Sequence, residues 1–126
     1  MKVPFLDLKI YSQEKDLLIS SVERVFDHGR LVMGPEIEEL EQKLASYCSR
    51  KYVVSVGSGT DALFLGLKAL DIGPGDEVIT TSLSWIATAN AIALTGAKPV
   101  FADINNDLNI DYKSVEKLIS EKTKAI

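Results

Sequence analysis

Tyr52-Val53-Val54-Ser55-Val56-Gly57-Ser58-Gly59-Thr60-Asp61-Ala62-Leu63 is the stretch that decides the fold. Its first five residues form a short β-type run, closed by Gly57-Ser58-Gly59. Residues 60–70 then carry Leu63, Leu67 and Leu70 at helical spacing, the inward face of a helix. The same alternation continues downstream. Gly73-Pro74-Gly75-Asp76 is a turn, and Glu77-Val78-Ile79-Thr80-Thr81 a second strand. A helix is expected over residues 85–94, broken by Gly96. Lys98-Pro99-Val100-Phe101-Ala102-Asp103 is a third strand, with its proline at the entrance, where a missing N–H is tolerated. Residues 105–109 read as loop and 112–121 as a further helix, and Thr123-Lys124-Ala125-Ile126 opens another strand. Strands alternating with helices specify an α/β fold, a parallel-type sheet with crossover helices.

Upstream the pattern is helical. Residues 1–13 are apolar without a clean period, as expected for an N-terminal arm. Residues 14–50 form a helical segment. Leu18, Val22, Val25 and Phe26 line one helix, which Gly29 ends. Pro35 suits the first position of the next, and Glu36, Glu38 and Glu39 suit its positive end. Between them lies Arg30-Leu31-Val32-Met33-Gly34, unusually apolar for an exposed connection. Residues 51–126 are then the first part of a ligand-binding α/β domain.

Composition narrows the function. The 126 residues carry 14 Lys+Arg against 18 Asp+Glu, a formal net charge of −4, which argues against a nucleic-acid binder. Cys48 is the only cysteine, so an internal disulfide and a cysteine-rich zinc site are excluded. His28 is the only histidine, which argues against a histidine metal centre or a Ser-His-Asp triad. The opening Met1-Lys2-Val3-Pro4-Phe5-Leu6-Asp7 lacks the apolar run of a signal peptide, and no stretch reaches the ~20 apolar residues of a membrane span. A soluble cytoplasmic protein is expected.

In parallel sheets ligands bind at the carboxyl ends of the strands. That edge collects residues 57–60, residues 81–85 and Asp103. Two glycines at a strand-to-helix turn let backbone N–H groups approach an anion, and the helix start adds positive partial charge. Thr60 offers a hydroxyl. The same residues also make an ordinary capped turn. Gly57, Gly59 and Ala62 match a dinucleotide fingerprint, but the required acid should close the second strand. Glu77 opens that strand instead, and no lysine follows the glycines as a phosphate loop of the Walker kind needs. Trp85, the only tryptophan, follows the second strand. An indole there can be core, or it can stack on a flat heteroaromatic ring. Phosphate cradle and stacking platform together suit an aromatic phosphate ester, with pyridoxal 5'-phosphate the leading candidate.

Several segments carry a family resemblance: Pro4-Phe5-Leu6-Asp7-Leu8, Gly34-Pro35-Glu36 with Leu40-Glu41, Gly59-Thr60-Asp61-Ala62-Leu63, and Gly73-Pro74-Gly75-Asp76-Glu77-Val78-Ile79. Ala87-Thr88-Ala89-Asn90, Gly96-Ala97-Lys98-Pro99-Val100-Phe101 and Thr123-Lys124-Ala125-Ile126 continue it. Together they resemble the amino-terminal third of the DegT/DnrJ/EryC1/StrS sugar aminotransferases, pyridoxal-phosphate enzymes of fold type I. The resemblance implies a partial fold-type-I large domain preceded by an arm and two helices. It implies transfer of an amino group, usually from glutamate, to a keto group on a nucleotide-linked sugar in polysaccharide, lipopolysaccharide or deoxyamino-sugar biosynthesis. It assigns the cofactor phosphate to Gly59, Thr60 and the Asp61 backbone, and ring stacking to Trp85. It places Leu31, Met33 and Gly34 near the sugar substrate and a homodimer interface.

The resemblance assigns no catalytic residue to these 126 residues. The family's Schiff-base lysine and pyridine-nitrogen carboxylate lie further along the chain, and Lys68, Lys98, Lys113, Lys117, Lys122 and Lys124 read as surface lysines. Residues 1–126 alone are therefore expected to be inactive, and unstable or aggregating. Two alternatives stay open: a sugar dehydratase of the same family, with histidine in place of the lysine, and a stand-alone nucleotide-binding module of the Rossmann or flavodoxin kind. A non-catalytic interaction fragment is a third.

Overall fold

A computed structural model describes residues 5, 6 and 8–126. It divides into two units, one ending at Ser55 and the other spanning Val56–Ile126. Of the expected arm, residues 1–4 and 7 lie outside the described residues, and Ser12 and Gln13 already belong to a helix.

In the first unit, α1 (Ser12–His28) starts where the Glu14 carboxylate accepts the Tyr11 amide at 3.3 Å. It stops at Gly29, whose φ of +69° puts it in the left-handed region while its amide donates to Val25 O. Helix α2 (Pro35–Tyr47) begins with proline, which needs no amide partner, and has Glu36 and Glu38 in its first turn. After α2 the Ser55 amide donates back to Glu41 Oε1 at 2.7 Å. Neither helix buries a side chain; Leu18, Val22 and Phe26 are all exposed.

The second unit is α3 (Gly59–Ala69), β1 (Glu77–Thr81), α4 (Ala87–Leu94), β2 (Lys98–Ala102), α5 (Tyr112–Leu118) and β3 (Thr123–Ala125). The three strands form one parallel sheet in the order β2-β1-β3. Glu77 stands opposite Lys98 and Thr81 opposite Ala102. Strand alternation sends consecutive β1 residues to opposite faces. Val78 packs with Ile72, Ile92 and Ala97, while Ile79 packs with Ala102 and Val115. Each fully buried aliphatic side chain contributes roughly 1.5–3 kcal/mol, so this small three-layer core anchors the unit. The turn into β2 is specific to glycine: Gly96 has φ +89°, and a Cβ there would stand 2.8 Å from Pro74 Cγ.

Three expectations shift. Residues 52–56, expected as the first strand, form no strand among the described residues, and Val54 is exposed. A β-type run becomes a strand only beside a hydrogen-bonding partner. Helix α4 starts at Ala87, two residues after Trp85, and α5 ends at Leu118. Among the described residues no helix is long and apolar enough to cross a membrane.

Candidate cofactor site

The glycine turn is built by one hydroxyl. Ser58 is the N-cap of α3, its Oγ accepting the Asp61 amide at 3.1 Å while its carbonyl accepts the Ala62 amide at 3.0 Å. The Gly59 and Thr60 amides and the Thr60 hydroxyl have no partner among the described residues. A Cβ built on Gly59 would meet nothing within 4 Å, so the space over these amides is open. One built on Gly57 would stand 3.0 Å from Asp61 Oδ2, so the Asp61 carboxylate folds back beside the turn. An anion on Gly59 and Thr60 would have to turn that exposed side chain away. Of the three expected phosphate donors, Gly59 and Thr60 are open, and the Asp61 amide is already bonded.

Topology sets the turn beside the stacking residue. Helix α3 leads through residues 70–76 into the amino end of β1, so its Gly59 end points back to the carboxyl end of that strand. Consistently, Ala62 and Leu63 of α3 line one groove of about 290 Å³ with Thr80 of β1 and Thr88 of α4. Trp85 lies in the connection leaving β1 at that same edge. Four local bonds shape this connection. Thr81 Oγ1 accepts the Leu83 amide at 3.2 Å, and the Ser84 and Thr88 hydroxyls pair at 2.9 Å. The Trp85 and Ile86 carbonyls accept the Thr88 and Asn90 amides, both at 3.0 Å. The indole itself is 78% exposed. Among the described residues its flat face is uncovered. Ser84 and Thr88 were not singled out from sequence; their i, i+4 spacing at a helix start was the available signal.

Asp103, at the end of β2, donates its amide to Ser114 Oγ at 3.0 Å and is exposed. Every described lysine is exposed. Lys98 pairs with Glu77 at 3.0 Å, at the amino ends of β1 and β2, away from the turn. Among the described residues no three His, Cys, Asp or Glu side chains group as a metal site. Leu31, Met33 and Gly34 belong to the first unit, between α1 and α2. Leu31 and Met33 are exposed, Met33 has φ +53°, and Gly34 is buried. The Arg30 guanidinium donates to Met33 O at 2.8 Å and fixes the bend.

A sequence profile described as the DegT/DnrJ/EryC1/StrS aminotransferase family matches residues 12–126. The chain belongs to this family. Among its curated members, the UDP-2-acetamido-2-deoxy-3-oxo-D-glucuronate aminotransferase of Pseudomonas aeruginosa is 44% identical over 126 residues, 98% of this chain and 35% of the relative. Two solved family structures superimpose closely. DesV of S. venezuelae has a TM-score of 0.90 at 44% identity, over 97% of this chain and 33% of its own. NtdA of Bacillus subtilis, with bound cofactor PMP, has a TM-score of 0.91 at 38% identity, over 98% of this chain and 29% of its own. The chain thus spans about a third of the length of the family members it matches. The large-domain architecture expected from the motifs is the one these structures share.

Proposed function

We propose that these residues supply the phosphate and ring contacts of a pyridoxal-phosphate site in an aminotransferase acting on a nucleotide-linked keto sugar. The observation that carries this is the pairing, at one sheet edge, of open amides at Gly59 and Thr60 with the exposed Trp85 indole. When bound, the cofactor provides an electron sink for moving an amino group. The chain's own residues bind and orient it. The Gly59 and Thr60 amides, the Thr60 hydroxyl and the dipole of α3 hold the phosphate; Trp85 lies against the ring and shields that face from water. The bound PMP of NtdA and the nucleotide-sugar substrate named for the P. aeruginosa relative support both halves of this proposal.

Leu31, Met33 and Gly34 form the sugar-facing loop in this proposal, glutamate is the amino donor, and the working protein is a cytoplasmic homodimer. In this proposal a lysine further along the chain carries the amino-group chemistry, and residues 1–126 alone are inactive. The test is to supply the protein carrying this sequence with pyridoxal phosphate, glutamate and a UDP- or dTDP-linked keto sugar. Glutamate-dependent release of 2-oxoglutarate with formation of the amino sugar is expected. Reaction of the keto sugar without consumption of glutamate would refute the proposal.

A further inference from the structure

His28 uses both ring nitrogens to hold the connection between α1 and α2. The Arg30 amide donates to His28 Nδ1 at 3.1 Å, and His28 Nε2 lies 3.1 Å from Glu36 Oε1. A backbone N–H can only donate, so Nδ1 must offer a lone pair. The ring proton therefore resides on Nε2, directed at the Glu36 carboxylate. The enclosed space is tight. A Cβ on the buried Gly34 would stand 2.9 Å from both Arg30 O and Glu36 Oε2, and 3.6 Å from His28 Cε1. Imidazole, carboxylate and the Arg30 peptide thus converge on Gly34, and the Arg30 guanidinium closes the far side of the loop on Met33 O at 2.8 Å.

We infer that His28 is a positioning residue: as its neutral Nε2–H tautomer it clamps residues 30–34 and fixes how Leu31 and Met33 are presented. That these side chains meet the sugar rests on the function proposed above; the clamp itself does not.

The His28 ring is read by heteronuclear NMR in the protein carrying this sequence, its signals assigned through their correlations to the His28 backbone. At mildly alkaline pH the Nε2–H tautomer is expected. His28→Leu should displace the amide signals of residues 30–34. His28→Asn, whose Oδ1 can accept the Arg30 amide in an Asx turn, should leave them near their native positions. For the keto sugar, His28→Leu should raise KM about threefold to tenfold, the worth of one lost hydrogen bond, with kcat unchanged and KM recovered by His28→Asn. An Nδ1–H tautomer in the native protein, or loop amides indifferent to His28→Leu, overturns the inference. The native tautomer measurement decides even where a variant fails to fold. The expected NMR result with an unchanged KM overturns instead the sugar-facing role of Leu31 and Met33.

Discussion

Glu77 shows how one residue ties the sheet together at its amino end. Its carboxylate accepts Lys98 Nζ at 3.0 Å and Ser120 Oγ at 2.9 Å, and its amide donates to Lys122 O at 2.8 Å. The Lys98 hydrogen bond, then that of Ser120, holds its pKa below the usual carboxylate range. A carboxylate more acidic in the folded state than in the unfolded one stabilises the fold at neutral pH. That contribution disappears as pH falls through the lowered value. Glu77→Gln should therefore lower the urea midpoint near neutrality and have progressively less effect in acid. A difference between variant and native that stays constant down through the carboxylate range would contradict this. Residue identity alone did not reveal this role. Glu77 attracts notice in the sequence as a candidate ribose acid, and only the strand register, with Lys98 opposite, shows it to be a tie between strands.

Helix α3 is the element on which the site depends, and its start is set by Ser58. Replacing Ser58 with Ala removes the acceptor for the Asp61 amide and should destabilise the protein by about 1 kcal/mol, as cap deletions do. Chemical denaturation measures it, and an unchanged stability would show that the cap is not what fixes the turn. The elements of the second unit around β1 and β2 were legible because each is bounded by residues with one physical meaning: Gly73-Pro74-Gly75 before β1 and Gly96 before β2. Residues 52–56 were legible as a β-type run but not as an unpaired one, since pairing is decided by strands distant in sequence. The start of α4 slipped by two residues because the connection after β1 is shaped by the Ser84–Thr88 hydroxyl pair, which no propensity encodes. Of the site, the glycine turn was readable from spacing. The exposure of Trp85 was not, because a lone indole is as readily core. The contact of His28 with Glu36 was hidden for another reason: a loop returns eight residues later to the same place.

At the scale of the whole molecule, each unit leaves apolar side chains uncovered: Leu18, Val22 and Phe26 on α1, and Leu83, Ile86 and Leu94 around α4, are all exposed. Such faces require a partner surface. Residues 1–126 produced alone should self-associate, giving scattering masses well above 13.8 kDa and no sharp cooperative unfolding; a monomer with a sharp transition would contradict this. The central claim is that the glycine turn and Trp85 together hold a pyridoxal phosphate, and it is tested most directly by the cofactor's dissociation constant. In the protein carrying this sequence, that constant is followed through the cofactor's absorption band for the native chain and for Trp85→Ala. Stacking worth roughly 1–3 kcal/mol predicts a loss of affinity of about fivefold to a hundredfold, and an identical constant for the two proteins would remove Trp85 from the site.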